Sequence, residues 1–464
     1  MNNFDPANTA QSLAVVEFST TGFAEGVNSK RQKILSKNLE LKSFAIKDFE
    51  GNKDDQEDYI ANTMATYKKN LTDRSEHQLG TKADNIGYPC NLEYDYKNLN
   101  QLLCFPINNI GDPFTDGNFG IHSRPFEVGV LDWFAEFMKI EKNEYWGYVT
   151  SGGTEANHHG ILTGRKMFPN GILYASKESH YSVAKAIDMF SMKWVQVETQ
   201  VSGEIDYHDF KTKLLANKEF PAIVVANIGT TMKGAVDDID LIIQTLKESG
   251  FSQNRFYIHC DGALSGIILP FMTCEEKVIS FKKPIGSASI SGHKFIGCPI
   301  TCGILITRKD YINFHSRNIE YIAPRDATIM GSRNGHAPIF LWQALNKGGY
   351  KWIQKQVEEC LKNARYLKEC LSKARISAML NEGSIIVVLE RPKDEEFIRK
   401  WQLACQGNIS HVLLMPHVSV EMLNTFLDEL IAKRLTWYKD ESILPPCLEV
   451  DIGKENCACA LHKC

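Results

Sequence analysis

The sequence predicts an α/β fold in which a large, mostly parallel β-sheet is followed by a smaller C-terminal α+β domain. Strand-like and helix-like segments alternate over roughly 200 residues, which is typical of a parallel sheet covered by helices on both faces. Beyond Pro338 this alternation gives way to one long helical region and a few short strands. A chain of 464 residues also exceeds the size of one small core, so two or three packed units are expected.

The first predicted helix of the large domain is an amphipathic segment, FEVGVLDWFAEFMKI (126–140), whose Val128, Leu131, Phe134 and Met138 recur at helical spacing. Strands are predicted where short apolar runs are bounded by turn residues, and helices where the apolar spacing lengthens. In chain order these segments are the strand EYWGYVTS, the helix GTEANHHGILTGRKMF, the strand GILYAS, the helix YSVAKAIDMFSM, the strand PAIVVANIG, the helix DLIIQTLKESG and the strands FYIHCDGA, GSASISGHK and CGILITRK.

The C-terminal part begins with a long helical region, IFLWQALNKGGYKWIQKQVEECLKNARYLKECLSKA, that is interrupted near Gly348 and Gly349. A strand at SIIVVLERP, a helix over 394–405, a strand at HVLLMP and a helix over 418–433 follow it. The predicted organisation is an N-terminal arm with some helix (1–85), a large domain (86–337), a small domain (338–445) and a Cys-rich tail (446–464).

Composition gives no bias toward nucleic acid or membranes. Apolar residues make up 43% of the chain, charged residues 23%, and the net charge is −4. No apolar run approaches the length that spans a bilayer. The chain has 13 cysteines and lacks a secretory apolar segment near its start, which favours reduced thiols. These observations predict a soluble cytoplasmic protein.

Four predicted strand ends carry polar groups, and each group also has a simpler structural explanation. Residues 151–154 are a small-residue turn before a helix, which could bind a phosphate or only make a tight turn capped by Thr154. Asp261 is either a functional carboxylate or a turn residue. Lys294 is either an amine nucleophile or a lysine that snorkels to the surface. His180 begins a helix, where most histidines are structural.

Taken together, the four groups match the needs of pyridoxal 5′-phosphate (PLP). In an open α/β sheet, ligands bind beyond the carboxyl ends of the strands, so these groups are expected at one edge of the sheet. The phosphate of PLP suits a helix N-terminus, the aldehyde needs a lysine, and the ring nitrogen needs an aspartate to stay protonated. The flat ring of His180 can cover a face of the cofactor. The combination therefore favours a PLP site.

The chain also carries motifs that resemble those of the fold-type I, group II PLP-dependent amino-acid decarboxylases, namely SGGTEAN, SHYSVAKA, NIGTTMKGAVDD, HCDGALSG, SGHKFIGCP and GSRNGHAP. More narrowly, these motifs are similar to the plant serine decarboxylase and histidine-decarboxylase-like branch, over about residues 86–440. The resemblance implies an aspartate-aminotransferase-like fold with a seven-stranded sheet. It also implies decarboxylation of a small L-amino acid to an amine and CO2, in a homodimer with shared active sites.

The resemblance assigns individual residues to the cofactor. Lys294 matches the lysine that forms the Schiff base with PLP, and Asp261 matches the partner of the pyridine nitrogen. His180 matches the histidine that stacks on the ring, opposite Ala263. The other matched positions are the phosphate loop Ser151, Gly152, Gly153 and Thr154, the minor phosphate contacts His293 and Ser332, and Thr230 near the 3-hydroxyl group.

Tyr321 lies in NIEYIAPRDATIM, which matches the family's mobile loop, whose tyrosine returns a proton to the α-carbon across the dimer interface. Related plant enzymes that release an aldehyde typically carry phenylalanine at this position. Tyr321 therefore favours simple decarboxylation over an aldehyde synthase. A non-catalytic scaffold with the same fold is the alternative from another class, and the intact set of Lys294, Asp261, His180 and Tyr321 disfavours it.

Two positions bear on the substrate. Ser265, in CDGALSG, stands where the plant branch commonly has a bulky ring, and it is similar in this to the bacterial histidine enzymes. Phe105 offers an aromatic wall but no hydroxyl group for a serine side chain, which leaves room for alanine. The predicted substrate is a small neutral amino acid, with serine (giving ethanolamine) ahead of alanine (giving ethylamine). Histidine, giving histamine, is the alternative.

The C-terminal segment PPCLEVDIGKENCACALHKC concentrates soft metal ligands. Cys447, Cys457, Cys459 and His462 could supply the four ligands of a structural zinc ion, with Cys464 as a substitute ligand. The spacing is not that of a standard zinc finger. A reduced tail without any metal is therefore the alternative.

Overall fold

The computed structural model describes residues 53–77, 85–93, 95–272, 278–439 and 444–459. The chain divides into two units, Met1–Asn70 and Leu71–Cys464. The described residues of the first unit lie in helix α1 (Lys53–His77), which begins inside the charged segment KDFEGNKDDQEDYI. Asp54 and Asp55 in its first turn favour this start, because acidic side chains stabilise the positive end of the helix dipole.

The second unit is built on a seven-stranded sheet with the strand order β1-β7-β6-β5-β4-β2-β3. The strands are β1 (Tyr145–Thr150), β2 (Ile172–Ser176), β3 (Trp194–Val197), β4 (Ala222–Asn227), β5 (Phe256–Asp261), β6 (Ser287–Ser291) and β7 (Gly303–Arg308). Neighbours from β6 through β5, β4 and β2 to β3 pair in parallel, whereas β7 is antiparallel to both of its neighbours. The predicted large, mostly parallel sheet is confirmed.

The sheet is buried on both faces. Alternate residues of β4 belong to separate buried clusters, with Val224 and Ala226 in one and Ile223 and Val225 in the other. A strand covered on both sides needs apolar residues at every position, which explains the continuous run AIVVAN. The helices that precede or connect these strands are α2 (Arg124–Phe137), α3 (Gly153–Met167), α4 (Tyr181–Phe190), α5 (Tyr207–Ala216) and α6 (Ile239–Glu248).

The C-terminal part starts with helix α7 (His336–Lys373), close to the predicted domain boundary. The helix is kinked at Gly349, whose φ is 63° and ψ is −179°, a conformation that residues with a Cβ rarely adopt. The Gly-Gly pair in the sequence indicated this interruption. The other elements are the strands β8 (Arg317–Ile319), β9 (Ala323–Asp326), β10 (Ala378–Leu380), β11 (Ile386–Glu390), β12 (Ala404–Gln406) and β13 (Ile409–Leu413), and the helices α8 (Glu395–Lys400), α9 (Val420–Trp437) and α10 (Glu449–Ile452).

The small domain contains a four-stranded antiparallel sheet with the order β10-β11-β13-β12. The predicted helix over 394–405 is wrong in its length, because α8 ends at Lys400 and β12 follows. Trp401 is buried and Gln402 adopts a φ of 53°, so the chain leaves the helix at this point. In the part of the chain that the structure describes, no helix is long and apolar enough to cross a membrane.

Strands β8 and β9 pair as a hairpin that carries Tyr321 in its turn. The backbone N–H of Asn118 donates to the carbonyl of Ile322 (3.0 Å), and the Asn118 side-chain amide donates to the carbonyl of Tyr321 (3.3 Å). Arg325 forms an ion pair with the buried Asp112 at 2.8 Å. The hairpin is therefore fastened to the segment that precedes α2.

Candidate active site

A cavity of about 900 Å³ opens at the carboxyl ends of strands β4, β5 and β6. This is the edge at which an open α/β sheet binds ligands. The small domain also contributes to its wall, through Ile386, His411 and Leu413. The sequence-predicted residues that line the cavity are Ser151, Gly152, Gly153, Thr154, His180, Thr230, Asp261, Ala263, His293 and Lys294.

The loop between β1 and α3 leads into a helix N-terminus, where backbone N–H groups without helical partners concentrate. The N-cap residue is Gly152, and no side chain caps the helix, so Thr154 is not the capping residue. A Cβ added to Gly153 would lie 2.5 Å from Oγ of Ser291. The loop therefore passes close to the turn after β6, in a space that only a glycine fits, and leaves the helix end open to the cavity.

Glu155, in the first turn of α3, fixes the shape of this loop. Its Oε2 accepts a hydrogen bond from the backbone N–H of Ser151 (2.7 Å), and its Oε1 accepts one from the hydroxyl of Tyr148 (2.9 Å). The N–H of Ser151 is thus engaged within the loop. The N–H groups of Gly153 and Thr154, at the start of the helix, are the better donors to an anion.

Asp261 lies at the end of β5 and is 7% exposed. Its Oδ2 accepts a hydrogen bond from Nδ2 of Asn157 (2.7 Å), and its Oδ1 accepts one from the backbone N–H of Ala263 (3.2 Å). Hydrogen bonds to a carboxylate favour its charged form. A charged carboxylate at a cavity wall can hold a proton on a basic nitrogen of a ligand.

Lys294 lies in the turn after β6 and lines the cavity, so it does not snorkel to the outer surface. Among the described residues its Nζ has no hydrogen bond or ion pair. Burial lowers the pKa of Lys294, while the charge of Asp261 acts in the opposite direction. A lysine whose neutral form is favoured can attack a carbonyl carbon, which is the chemistry of Schiff-base formation.

His180 is the N-cap residue of α4, and its Nδ1 accepts a hydrogen bond from the backbone N–H of Ser182 (3.2 Å). Nδ1 also lies 2.8 Å from the hydroxyl oxygen of Ser182. Burial lowers the pKa of His180, whereas the charge of Asp261 raises it. The structural explanation, a capping histidine, is therefore correct, and it coexists with a place in the cavity wall.

Thr230 and His293 are both held by local hydrogen bonds. Oγ1 of Thr230 accepts a bond from the backbone N–H of Ala235 (3.1 Å). Nδ1 of His293 lies 2.8 Å from the carbonyl oxygen of Cys302. Burial lowers the pKa of His293, so its neutral form is favoured. Both side chains line the cavity in fixed orientations.

Four sequence-predicted residues do not line the cavity of their own chain. Phe105 is 56% exposed and Tyr321 is 73% exposed, and Ser332 is also at the surface. Ser265 is only 3% exposed and lies under Gly229, whose φ is 105° and where an added Cβ would lie 2.3 Å from Oγ of Ser265. Ser265 therefore supports the loop that carries Thr230, and its contact with a substrate stays a prediction.

The sequence matches the family model described as the pyridoxal-dependent decarboxylase conserved domain over residues 122–390, more than half of the chain. The chain belongs to the pyridoxal-dependent decarboxylase family. It is an amino-acid decarboxylase, a carboxy-lyase, and PLP is its cofactor. The resemblance to group II PLP decarboxylases of the plant serine and histidine type is confirmed.

Two relatives illustrate this membership, and one solved structure shows the same fold. Serine decarboxylase 1 of Oryza sativa subsp. japonica is 58% identical over 442 residues, which cover 95% of this chain and 90% of the relative. Histidine decarboxylase of Solanum lycopersicum is 52% identical over 403 residues, which cover 86% of this chain and 95% of the relative. The crystal structure of L-methionine decarboxylase from Streptomyces sp.590 has a TM-score of 0.72 at 23% identity and covers 81% of this chain and 95% of that chain. This likeness confirms the predicted fold.

The residues of the decarboxylase cavity fit PLP. The amine of Lys294 lacks a protein partner among the described residues, as an amine that is to hold an aldehyde must. The cradle at Gly153 has no room for a side chain and faces a helix N-terminus, which suits a phosphate. The carboxylate of Asp261 accepts hydrogen bonds from two N–H groups and suits a protonated ring nitrogen.

Sequence reasoning missed the residues that support Asp261 from behind. Asn157 and His259 are buried and form a chain of hydrogen bonds toward Asp261. Their signal in the sequence is weak, since it consists of polar residues inside a helix and a strand that were predicted as core. The signal consists of the histidine and aspartate in HCD and of the polar residues in EANHHG.

Far along the chain, three of the predicted zinc ligands do come together. The sulfur atoms of Cys447, Cys457 and Cys459 all lie within 4.8 Å of one another. Burial raises the pKa of Cys457, but the hydrogen bonds from the backbone of Cys459 and Leu448 and from the side chains of Cys459 and Ser377 together lower it, so the net shift is downward. The fourth predicted ligand, His462, and the substitute Cys464 lie outside the described residues.

Proposed function

We propose that this decarboxylase converts L-serine to ethanolamine and CO2, with L-alanine, giving ethylamine, as the second-ranked substrate. The observation that carries the proposal is the high identity, 58%, to a relative named as a serine decarboxylase. Two further rice relatives of that name are 56% and 55% identical, whereas the bacterial histidine decarboxylases reach only 40–42%. The histidine decarboxylase of tomato, at 52%, keeps histidine as the alternative.

In this proposal the cavity residues divide the work around PLP. Lys294 would hold the aldehyde, the N-terminus of α3 at Gly153 would hold the phosphate, and Asp261 would pair with the ring nitrogen. Bound PLP supplies an electron sink for the electron pair that CO2 leaves on the α-carbon. Asp261 keeps a proton on the ring nitrogen, which maintains that sink. His180 would cover one ring face and exclude water from it.

Thr230, His293 and Ser332 would complete the contacts to the cofactor. Thr230 is oriented by its bond to Ala235, which supports a contact near the 3-hydroxyl group. His293 is held by Cys302, which supports a contact to the phosphate. Ser332 is at the surface and bonds to Asn108, so its contact would be made to the cofactor of a partner subunit.

Tyr321 would donate a proton from its hydroxyl to the α-carbon of the substrate, but only in a homodimer. Its side chain is 73% exposed and does not line the cavity of its own chain, which supports a role in the cavity of a partner subunit. Phe105 is 56% exposed as well, which supports a surface that a partner subunit covers.

The pocket wall also bears on the choice between serine and histidine. In the sequence Ser265 favoured histidine, but Ser265 lies under Gly229 and is not part of the cavity lining, which weakens that support. Phe105, if supplied by the partner subunit, would add an apolar wall that tolerates the methyl group of alanine as well as the short side chain of serine. A small substrate is therefore favoured over an imidazole.

The experiment that tests the function is amine detection after incubation of the PLP-loaded protein with each of the twenty amino acids in turn. The expected main product is ethanolamine from serine, with ethylamine from alanine next. Histamine as the main product would establish the alternative instead. Absence of any amine, in a protein that binds PLP, would return the non-catalytic scaffold to consideration.

A structural zinc ion in the C-terminal segment is a second part of the proposal. The three sulfur atoms lie within 4.8 Å of one another, and such distances are expected between ligands of one tetrahedral ion. Leu448 and Ile452, between the first and second cysteine, are fully buried in the core, so the segment is anchored. His462 would be the fourth ligand, and the ion would be structural and remote from PLP.

We also propose that the enzyme works in the cytoplasm. The eleven cysteines that the structure describes are not joined in disulfides. Free thiols at all eleven of these described positions suit a reducing compartment.

A further inference from the structure

Behind the carboxylate of Asp261 lies a network of buried polar side chains. Asn157, on α3, is its centre: Nδ2 lies 2.7 Å from Oδ2 of Asp261 and 3.0 Å from Oγ of Ser182. On the other side of the same amide, Oδ1 lies 2.6 Å from Oγ of Ser289 and 3.0 Å from Nε2 of His259. One amide therefore contacts four polar groups, and all of these residues except Asp261 are at most 2% exposed.

The direction of each hydrogen bond follows from Asp261. An ionised carboxylate only accepts hydrogen bonds, so Asn157 must turn its NH2 group, and not its oxygen, toward Asp261. The opposite orientation of the amide would set two oxygen atoms against each other at 2.7 Å. Oδ1 of Asn157 consequently faces Ser289 and His259 and accepts from both of them.

This orientation fixes the tautomer of His259. Its Nε2 must carry the proton, because its partner, Oδ1 of Asn157, can only accept. Burial lowers the pKa of His259 to about 4, so the ring is neutral near pH 7 and Nδ1 is an acceptor. Nδ1 takes its bond from the hydroxyl of Ser287 (2.8 Å), which in turn accepts from the hydroxyl of Tyr257 (2.6 Å). The donors therefore point in one direction, from Tyr257 to Asp261.

A second branch runs from the same amide to His180. The other N–H of Asn157 donates to Oγ of Ser182, and the hydroxyl proton of Ser182 is then directed to Nδ1 of His180 (2.8 Å). That nitrogen already accepts the backbone N–H of Ser182. Nδ1 of His180 is thus an acceptor, and in the neutral ring the proton lies on Nε2.

The packing of α3 on the sheet explains how Asn157 reaches this place. Gly160 and Gly164 lie on the same face of the helix, one and two turns further on. A Cβ added to Gly160 would lie 2.2 Å from Nδ1 of His259, and one added to Gly164 would lie 2.8 Å from the ring of Tyr257. The two glycines let the helix approach β5 closely enough for the amide of Asn157 to bond its side chains.

We propose that Asn157 is a positioning residue that acts on two groups: His180, at one face of PLP, and Asp261, at the ring nitrogen of PLP. Through its two N–H groups it holds Asp261 as an acceptor-only carboxylate and His180 as the Nε2–H tautomer, while His259 fixes the orientation of the amide. The inference rests on the proposed pairing of Asp261 with the ring nitrogen. It adds a group that touches neither substrate nor cofactor but sets the charge and tautomer of two that do.

The substitution Asn157→Asp tests this, because it keeps the shape of the side chain and removes both N–H donors. It sets a second carboxylate about 2.7 Å from Asp261, and two carboxylates at that distance cannot both ionise. The titratable groups around Asp261 are His180 on α4, His259 on β5 and Lys294 after β6. We expect the pH titration of the visible absorbance of bound PLP to move by about one pH unit or more. We also expect kcat to fall about 10²-fold, with a smaller change in KM.

Asn157→Ala is the second variant, in case the aspartate variant does not fold. It removes the donors without adding a charge, and the absorbance titration should shift in the same sense by a smaller amount. The matched control is Asn363→Asp in α7, which loses a comparable bond from its Nδ2 to the carbonyl of Val418 (2.9 Å), in the small domain. This control should keep the wild-type titration even if it loses stability.

The outcomes separate this inference from the proposed function. A wild-type protein that binds no PLP or forms no amine would contradict the proposed function itself. If the wild-type protein does both, and a folded Asn157 variant keeps the wild-type absorbance titration and kcat, then Asn157 has only a packing role and the inference is overturned. A shift of the titration in the Asn157 variants but not in Asn363→Asp establishes it.

Discussion

At the scale of single residues, the site depends on keeping an amine ready for reaction inside the protein. Burial lowers the pKa of Lys294, which increases the neutral, nucleophilic fraction near pH 7. The charge of Asp261 raises the pKa of Lys294 and so opposes part of this shift. The same cavity wall contains a second lysine, Lys185, whose Nζ lies 4.7 Å from the centre of the Tyr181 ring. Only Lys294 is proposed to hold the cofactor, and the two lysines can be compared directly.

We expect Lys294→Ala to abolish both amine formation and the visible absorbance of bound PLP, because the covalent link to the aldehyde is lost. Lys185→Ala is the control, and it should keep that absorbance, since its amine is engaged with Tyr181. Absorbance spectra of the purified variants after addition of PLP provide the measurement. A Lys294→Ala protein with wild-type absorbance would show that another amine holds the cofactor.

Tyr321 is the other residue whose chemistry can be isolated. We expect Tyr321→Phe to slow amine formation by about 10²–10⁴-fold, the usual contribution of a positioned proton donor. Part of the flux should be diverted to aldehyde, because the α-carbon then waits for its proton in the presence of dissolved oxygen. Amine, aldehyde and peroxide are measured side by side. Unchanged amine yield without aldehyde would mean that Tyr321 is not the proton donor.

The residues that could be predicted are those whose position in the pattern was unusual. Lys294 and Asp261 stood out because a charged side chain followed an apolar strand, and His180 because it preceded a helix. All three line one cavity. Asn157 and His259 did not stand out, because a polar residue inside an amphipathic helix or beside a strand is common. Their importance depends on contacts across 102 to 104 positions of sequence, which no local pattern contains.

At the scale of elements, the buried strands and the long helices were predictable because their apolar runs are continuous or periodic. The strand β3 and the helix α5 were not assigned. β3 is a four-residue edge strand that is only partly buried, so it lacks a clear apolar run. The helix over 394–405 was extended too far, because Trp401 continues the apolar spacing although the backbone turns away at Gln402.

The C-terminal segment is an element that no periodic pattern describes, yet it is well packed. Leu448 and Ile452 are buried, and the hydroxyl of Ser377, before β10, accepts a hydrogen bond from the backbone N–H of Ala458 (2.8 Å). The backbone N–H of Leu448 lies 3.2 Å from the sulfur of Cys457. Apolar anchors and N–H donors to sulfur hold the thiols in place, as a metal site requires.

We expect about one zinc ion per chain in protein purified without a metal-affinity tag, because four soft ligands close a tetrahedral site. Chelation should lower Tm before it lowers activity, since the segment packs on the small domain and not on the PLP cavity. Elemental analysis and thermal melts with and without chelator provide the measurement. Cys457→Ser is expected to lose the ion, whereas Cys104→Ser, at an exposed site elsewhere, should keep it. A zinc content well under one per chain would end the proposal in favour of a reduced tail.

At the scale of the whole molecule, the cavity is assembled from distant parts of the second unit. Tyr88 precedes the large domain's first helix, Lys294 follows its sixth strand, and His411 lies in the small domain, and all three line the cavity. Neither domain alone could form the wall. Tyr321 and Phe105 are exposed and do not line the cavity of their own chain.

Hybrid dimers test whether the active site is shared between subunits. Lys294→Ala and Tyr321→Phe chains are each expected to be nearly inactive alone. In a hybrid of the two, one cavity combines the mutated lysine with the mutated tyrosine, and the other combines the intact Lys294 of one chain with the intact Tyr321 of its partner. Random mixing of equal amounts gives about half hybrids, each with one working site, so about a quarter of the wild-type activity should return.

Mixing Lys294→Ala with Asp261→Ala is the control, and it should restore nothing, because both residues serve the cavity of their own chain. If Tyr321 served its own chain, the first mixture would restore nothing either, since no chain in it carries both residues intact. Activity that returns on mixing, and only for the first pair, therefore requires a dimer in which Tyr321 crosses to its partner.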